Sequence, residues 1–163
     1  MGSFTSIQVK SFGFCGDDII PKVSSNGELQ FGDEEIICQE YADNVKIMGK
    51  TSRGWVCDFG MDGIPKDKSW KIYVTTKRIA VISEFIPPLF GGKPVTKKGK
   101  VSVGQVRLSD VGKIDIIDID NSSDNHLLRI YYKRNDGAGL YFIIEGSGVT
   151  IESLYERISS ISN

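Results

Sequence analysis

The 163-residue chain carries 20 basic and 21 acidic side chains, which gives a formal net charge of −1. A chain of this length can bury one substantial core and is short for two independent domains. Because the charge is nearly balanced, no overall positive field is present to hold a nucleic-acid backbone, and any anion site must be a local patch. Nucleic acid is therefore not an expected partner, and the sequence leaves the oligomeric state open.

The cysteines and the apolar pattern restrict the compartment. Cys15, Cys38 and Cys57 are an odd set without Cys-x-x-Cys spacing, which argues against a structural zinc site and against a complete disulfide framework. No apolar run approaches the ~20 residues of a spanning helix, and the residues after Met1 lack the regions of a signal peptide. We expect a cytoplasmic protein with no metal or cofactor, which meets a membrane only peripherally.

The first 30 residues are predicted to be an N-terminal extension, and residues 31–163 a single domain. Residues 6–14 have a short β-like pattern, and Pro21 together with the polar residues 24–27 favours a turn-rich connection after it. Residues 34–48 are apolar enough for a strand, and a turn over 49–54 leads to a second strand over 55–59. These two strands are predicted to form the first hairpin.

The second half of the chain is also predicted to be mostly strands. Residues 70–83 form two β-rich runs joined at Thr75-Thr76-Lys77-Arg78, which indicates a hairpin. Three prolines and the Gly91-Gly92 pair make residues 84–100 a long loop. A β-rich run over 101–116 is interrupted at Ser109-Asp110, and two further strands, over 126–133 and 140–145, are joined by a glycine-containing turn.

The last segment changes from strand to helix periodicity. Ile151, Leu154, Ile158 and Ile161 are spaced by three, four and three residues, which predicts a helix with one apolar face. Thr150 is the expected N-cap. We expect this face to cover one end of the β-structure, and binding of a partner protein is the alternative.

Three motifs in this order resemble the pleckstrin-homology (PH) superfamily, and most closely its GRAM and bacterial PH-like subgroup. Residues 32–37, Gly-Asp-Glu-Glu-Ile-Ile, are similar to the "Gly-Glu-x-Ile" strand start, and residues 72–83 to the "Leu-Tyr-x-Thr-Asn-x-Arg-Leu-x-Phe" hairpin. Residues 106–111, Val-Arg-Leu-Ser-Asp-Val, are similar to the "Ile-x-Leu-x-Asp-Ile" step. Over residues 29–161 the resemblance implies a mainly β (α+β) fold, a PH-like β-barrel of about seven antiparallel strands with a C-terminal capping helix.

Domains of this kind act as lipid-binding or protein-docking modules, so clusters of cations are candidate sites. Lys46, Lys50 and Arg53 bracket the first hairpin turn and resemble the basic pattern with which PH domains hold phosphoinositides. If the strands alternate up and down, Lys77 and Arg78 lie at the same end. Flexible ammonium groups and a guanidinium fork suit a phosphorylated headgroup, and a solvated turn without a specific lipid site is the alternative.

A second candidate lies in the loop 84–100, which strand alternation places at the opposite end. Its apolar residues Leu89 and Phe90 are accompanied by Lys93, Lys97 and Lys98. Anionic lipid attracts each nearby cation by ~1 kcal/mol, and the apolar pair could enter the membrane interface. The alternative is that Leu89 and Phe90 fold back onto the protein.

Other chemical readings of the sequence are weak. Residues 118–124 resemble the start of an EF-hand loop, but Ser123 replaces the required glycine and Arg129 stands at the closing glutamate position. Residues 146–148, Gly-Ser-Gly, lack the length and the lysine of a phosphate loop. The single histidine, His126, could form a catalytic pair with Cys57 if the fold brought them together, but no sequence pattern indicates this. We therefore predict that the protein is not an enzyme.

Two functions remain as hypotheses. The first is peripheral association with anionic membrane lipid, of which phosphoinositides are one candidate, through the cations of the first cluster, and it predicts binding that weakens as salt rises. The second is protein docking or self-association through a sheet edge or a groove between strands and helix, which predicts binding that tolerates salt.

Overall fold

A computed structural model describes residues 6–12, 21–24, 28–51, 54–57, 69–83, 89–90, 93–94, 98–118, 124–133 and 139–162. In residues 6–12, 50–57 and 89–100 this description is limited to the backbone. Sites predicted on residues outside these ranges, including Arg53, Lys97 and most of the EF-hand-like run 118–124, therefore lie outside the described part of the chain.

The first large sheet has five strands in the spatial order β1, β11, β8, β7, β4. Strand β1 pairs with β11 in parallel, and the other neighbours are antiparallel. The strands of this sheet are β1 (Ser6–Phe12), β4 (Ile36–Ala42), β7 (Trp70–Thr75), β8 (Arg78–Ser83) and β11 (Lys98–Arg107). The predicted hairpin over 70–83 is thereby confirmed, with Thr76 and Lys77 in its turn.

The second large sheet also has five strands, in the order β12, β13, β14, β5, β6, and is antiparallel throughout. Its strands are β5 (Asn44–Thr51), β6 (Gly54–Cys57), β12 (Val111–Asp118), β13 (Asn125–Lys133) and β14 (Gly139–Ser147). Two short pairs complete the described strands: β2 (Lys22–Val23) with β3 (Leu29–Gln30), and β9 (Leu89–Phe90) with β10 (Lys93–Pro94).

Two nearly continuous stretches of chain pass from one sheet to the other. Strand β4 runs into β5 across Asp43, and β11 runs into β12 through a 3₁₀ turn at Leu108–Asp110. The backbone N–H of Asp43 donates to the carbonyl of Glu145 at 2.8 Å, which ties the first of these corners to β14. The sequence prediction of an interruption at Ser109-Asp110 is confirmed, and its structural role is this corner.

The main core lies between the two sheets and under the single described helix, α1 (Gly148–Ser162). Trp70, Ile72 and Val81 enter it from the first sheet, and Ile47, Phe142 and Ile144 from the second. Alternate residues of each strand point into this core, as the period of two in a β-strand requires. The helix contributes Ile151, Leu154 and Ile158, all fully buried, so the predicted apolar helix face packs inside the molecule.

The start of the helix differs from the prediction in one detail. Thr150 lies in the first turn, and its backbone N–H donates to the Ser147 hydroxyl at 3.3 Å. Ser147 is therefore the residue that caps the helix, and the prediction of Thr150 as N-cap is wrong. The backbone N–H of Gly148 donates to the Asp124 carbonyl at 2.7 Å, which links the helix start to the beginning of β13. Residues 146–148 thus serve as a strand-to-helix joint.

A second, smaller core lies on the other side of the first sheet. It joins Tyr73, Ala80, Ile82 and Val103 of the sheet to Leu29 and Phe31, with Val23 packed against it. Residues 21–24 and 28–34, which carry Val23, Leu29 and Phe31, are called here the N-terminal cover. Gly32 has a φ of +63°, a left-handed conformation that glycine adopts without strain, and it turns the chain from this cover toward β4. Within the predicted extension, β1 is an edge strand of the first sheet and Leu29 belongs to this second core.

The mainly β class with a C-terminal helix is confirmed. The pairings among the described residues form two separate five-stranded sheets, so no closed hydrogen-bonded barrel is seen in that part of the chain. The loop predicted over 84–100 contains the short pair β9 and β10, and its last three residues begin β11. Among the described residues, no helix is both long and apolar enough to cross a bilayer.

Candidate functional site

The predicted lipid site has cations on two hairpins, β5–β6 and β7–β8. Strand register places the turns of both hairpins at one end of the molecule, called here the hairpin end. The backbone N–H of Leu108 donates to the carbonyl of Lys77 at 3.0 Å, so the β7–β8 turn lies against the 3₁₀ turn that leads into β12. From there the register runs from Val111 to Tyr132, from Tyr132 to Leu140, and from Leu140 to Gly49. Lys50 follows Gly49 directly, so the expected shared end of the two turns agrees with the pairing.

The same register shows that these cations share an end without being adjacent. Val111 and Gly49 are separated by three strand spacings, or about 14 Å across the second sheet. Lys46 lies three residues before Gly49 on β5, about 10 Å from that end, and it alternates with the core residues Val45 and Ile47. Lys77 is exposed at the turn itself, and Lys50 is placed by its backbone alone.

Arg78 is engaged inside the protein. Its Nε donates to Glu34 Oε1 at 3.0 Å, its Nη2 pairs with Glu34 Oε2, and its Nη1 donates to Gln105 Oε1 at 2.8 Å. The two charged side chains are 11% and 8% exposed, and the guanidinium lies over the Phe31 ring, 5.4 Å from its centroid. Arg78 was predicted to bind lipid, but its guanidinium is already bound by Glu34 and Gln105 within the chain.

The carboxylate of Glu34 is held by a polar network. The Thr75 hydroxyl donates to Glu34 Oε1 at 2.9 Å and accepts from the backbone N–H groups of Lys77 and Arg78, each at 3.1 Å. Burial by itself would raise the pKa of Glu34, but the hydrogen bonds from Arg78 and Thr75 and the nearby positive charges outweigh it and lower that pKa. The network fastens the N-terminal cover to the β7–β8 hairpin.

This network also gives a structural meaning to two of the motifs noted in the sequence. Glu34 belongs to the Gly-Asp-Glu-Glu-Ile-Ile run and Arg78 to the Thr-Thr-Lys-Arg joint, and the fold brings them together from 44 residues apart in sequence. Sequence reasoning treated Arg78 as a free cation because a turn position is normally solvated. The available signal was the acidic pair at 34–35 beside the strand that neighbours the hairpin.

The second predicted cluster, in residues 84–100, lies at the opposite end of the first sheet from the Lys77 turn. Trp70 pairs with Ser83, and β11 continues beyond that level to Lys98, which pairs with Ser6. Leu89, Phe90 and Lys93 belong to the short pair β9 and β10. Their backbone is described and their side chains are not, so contact of this loop with a membrane stays a prediction.

A surface that sequence reasoning did not single out is the outer face of the second sheet, the side turned away from the core. Arg129 and Tyr131 of β13 alternate with the core residues Leu128 and Ile130, and Tyr141 of β14 lies beside Tyr131. The Tyr131 and Tyr141 rings meet edge to face with centroids 5.5 Å apart, and the Arg129 guanidinium lies 4.9 Å from the Tyr141 centroid. Strict alternation along 128–133 was the signal that could have revealed this face.

The other candidate chemistries receive no support from the described residues. Within them, no group of three or more histidine, cysteine or acidic side chains is placed to hold a metal ion. His126 lies against the start of the helix, where a Cβ on Gly148 would come within 2.8 Å of its ring. Cys57 is described by its backbone alone, so the considered Cys57 and His126 pair stays untested. Burial, with a smaller contribution from Glu40, raises the pKa of the Cys38 thiol, which disfavours its reactive thiolate form.

Comparison of this chain with protein-family models, with curated proteins and with solved structures finds no match.

Proposed function

We propose that this chain is a PH-like, GRAM-type binding module without enzymatic activity, which associates peripherally with anionic membrane lipid in the cytoplasm. The order of the strands and the helix along the chain supports the PH-like part of this proposal. Two sheets of hairpin-connected strands are joined at two corners, and one C-terminal helix packs its apolar face into the core between them. The three sequence motifs lie at the entry to β4, in the β7–β8 hairpin and at the corner before β12.

The observation that carries the lipid proposal is the composition of the hairpin end. Lys77 is exposed in the β7–β8 turn, and strand register brings the end of β5 that carries Lys50 to the same end of the molecule. Arg53, predicted for the same site, lies outside the described residues. Backbone turns that carry flexible cations can follow a phosphorylated headgroup or an anionic surface without a deep pocket. Arg78 is omitted from this site because Glu34 and Gln105 already bind its guanidinium.

Co-sedimentation with vesicles tests this proposal. We expect the wild-type chain to bind phosphatidylcholine vesicles that contain phosphatidylserine or a phosphoinositide, to ignore vesicles of phosphatidylcholine alone, and to bind more weakly as salt rises. A Lys50→Glu, Arg53→Glu, Lys77→Glu variant should lose most of the binding. Lys22→Glu, which reverses one exposed charge on β2, is the matched control for Lys77→Glu alone. Absence of binding at low and at physiological salt would refute the lipid function.

Protein docking is the second candidate, and exposed apolar side chains on β4 favour it. Ile36 is 46% and Tyr41 62% exposed, which is more than a strand inside a packed sheet usually shows. The helix fills the groove beside the sheets with Ile151 and Leu154. The sheet edges predicted as docking positions include β4 itself, which is an edge strand of the first sheet. Salt-tolerant binding of a partner that is lost in an Ile36→Asp, Tyr41→Asp variant would support this function over the lipid function.

A further inference from the structure

The outer face of the second sheet contains an aromatic ring that is supported by glycines on both sides. Tyr131 of β13 lies between Gly112 of β12 and Gly139 of β14. A Cβ at Gly112 would come within 3.1 Å of the Tyr131 ring, and a Cβ at Gly139 within 2.7 Å of its hydroxyl and 3.1 Å of its ring. Side chains at these two positions would displace the ring, so the glycines allow it to lie across the strands.

The Tyr131 side chain is the first of a row of neighbouring residues that crosses the second sheet from strand to strand. Tyr131 pairs in register with Tyr141, and Tyr141 with Met48 of β5. The strand register shifts between Val111 and Ile114, beside Tyr131, an irregularity that re-aims side chains at the edge of a sheet. The next row along the strands is Asp115, Arg129, Ile143 and Lys46. Together the two rows make a surface of aromatic and cationic side chains around Ile143, which is only 7% exposed and belongs to neither hydrophobic core.

The charges of this face are unbalanced. Its cations are Lys46, Lys113, Arg129 and Lys133, and its carboxylates are Asp115 and Glu145. Asp115 serves two of the cations, since it lies 3.1 Å from Arg129 Nη2 and 3.8 Å from Lys113 Nζ. The face therefore has an excess of two positive charges in a chain whose net charge is −1.

We propose that this face, comprising Lys46, Lys113, Arg129, Tyr131, Lys133 and Tyr141, lies against the anionic membrane surface; this inference rests on the proposed lipid function and names the contact plane. Tyrosine rings favour the region between lipid headgroups and acyl chains, and lysines beside them are attracted to anionic headgroups. Lys133 stands at the end of β13 next to the hairpin end, so this face and the hairpin end adjoin at Lys133.

Charge and shape distinguish this occupant from a second copy of the chain. In a symmetric dimer formed through this face, each copy would present its excess of positive charge to the same excess on its partner, which disfavours association. An anionic bilayer presents the opposite charge over a wide flat area. The expected partner is accordingly a lipid surface.

The test uses the full chain and vesicles of phosphatidylcholine with phosphatidylserine. A Lys113→Gln, Lys133→Gln variant removes two exposed cations from the face, and we expect at least about tenfold weaker binding, since each cation near an anionic surface contributes roughly fivefold. A Lys22→Gln, Arg157→Gln variant has the same net charge and loses two exposed cations elsewhere. It should bind within about twofold of the wild type.

A second measurement reports the contact plane without changing the charge. In NMR spectra with vesicles that contain spin-labelled lipid, the ring signals of Tyr131 and Tyr141 should broaden, whereas those of Tyr41, exposed on the first sheet, should not. If the wild type binds and neither the face variant nor the ring signals respond, this inference is wrong and the lipid function stands. If the wild type binds no vesicle, both fail. A dimer that the face variant dissociates would also overturn the inference.

Discussion

The outer faces of the two sheets begin from similar sequence patterns and end in opposite environments. On the first sheet, Lys71, Tyr73 and Thr75 alternate with core residues, much as Arg129, Tyr131 and Lys133 do on the second. Tyr73 is 3% exposed because Leu29 and Phe31 cover it. The first face is therefore a second core, whereas Lys133 is exposed and the Tyr131 ring is partly so.

The two outer faces also differ in how their cations are paired with carboxylates. On the first sheet Lys71 pairs with Glu28, Arg78 with Glu34 and Arg107 with Asp110. Each of these cations has its own carboxylate, and the N-terminal cover supplies two of the three. On the second sheet Lys113 and Arg129 share Asp115. Among the described residues, the cations of the covered face each have a carboxylate partner, and the cationic excess remains on the face that no described segment covers.

The largest expected effect comes from removing an aromatic ring of the cover. Phe31→Ala should destabilise the protein by about 3–4 kcal/mol, because it empties a nearly buried site against Tyr73 and Arg78. Urea unfolding measures this change. Tyr41→Ala removes a mostly exposed aromatic ring from the same sheet and should cost less than about 1 kcal/mol. Equal losses in the two variants would contradict the second core.

A smaller effect is expected from breaking the buried ion pair. Arg78→Met keeps most of the side-chain volume but removes the charged donor of the Glu34 carboxylate, which keeps only the Thr75 hydroxyl, and the donor of the Gln105 amide oxygen. We therefore expect a loss of about 2–3 kcal/mol. Lys77→Met, at the exposed neighbouring position, should change stability by less than about 0.5 kcal/mol. If Arg78→Met folds with unchanged stability and abolishes vesicle binding, Arg78 is a lipid ligand and its structural assignment is wrong.

The smallest expected effect is on how the stability of the protein depends on pH through Glu34. The pKa of Glu34 is lower in the folded chain than in the unfolded chain, so in the pH range between the two values the unfolded chain binds more protons. The contribution of Glu34 is fully present above its unfolded pKa and is lost as the pH falls through its folded pKa. Urea midpoints between pH 6 and pH 3 should fall less steeply in Glu34→Gln than in the wild type. Parallel pH profiles would contradict a lowered pKa.

Local patterns predicted the parts of the fold that short-range chemistry specifies. The Thr75–Arg78 joint between two β-rich runs gave the hairpin, and the polar Ser109-Asp110 step gave the corner. The spacing of Ile151, Leu154 and Ile158 gave the helix and its buried face. The helix cap was misplaced by three residues, since Ser147 and Thr150 are both good capping residues and only backbone geometry distinguishes them.

The candidate sites were predicted less completely because they depend on contacts between distant parts of the chain. Lys77 lies in a turn as predicted, whereas Lys46 lies within β5, and the lipid role of these cations stays a prediction. Arg78 was read in the same way, although a carboxylate 44 residues earlier binds it. The tyrosines of β13 and β14 were treated only as strand formers, because no local pattern shows which side of a strand will remain uncovered.

The sequence by itself determined most of the strands, the β7–β8 hairpin, the helix and the two directions in which side chains alternate, since these follow from backbone preferences and apolar spacing over a few residues. The single strand predicted over 34–48 was wrong, because the chain divides at Asp43 into β4 and β5 of different sheets. Only the tertiary structure decided which outer face is covered. Residues 21–34 turn at Gly32 and pack Leu29 and Phe31 on the first sheet, where Glu34 meets Arg78. This choice depends on apolar area and paired charge gathered from segments far apart in the chain, which no local pattern encodes.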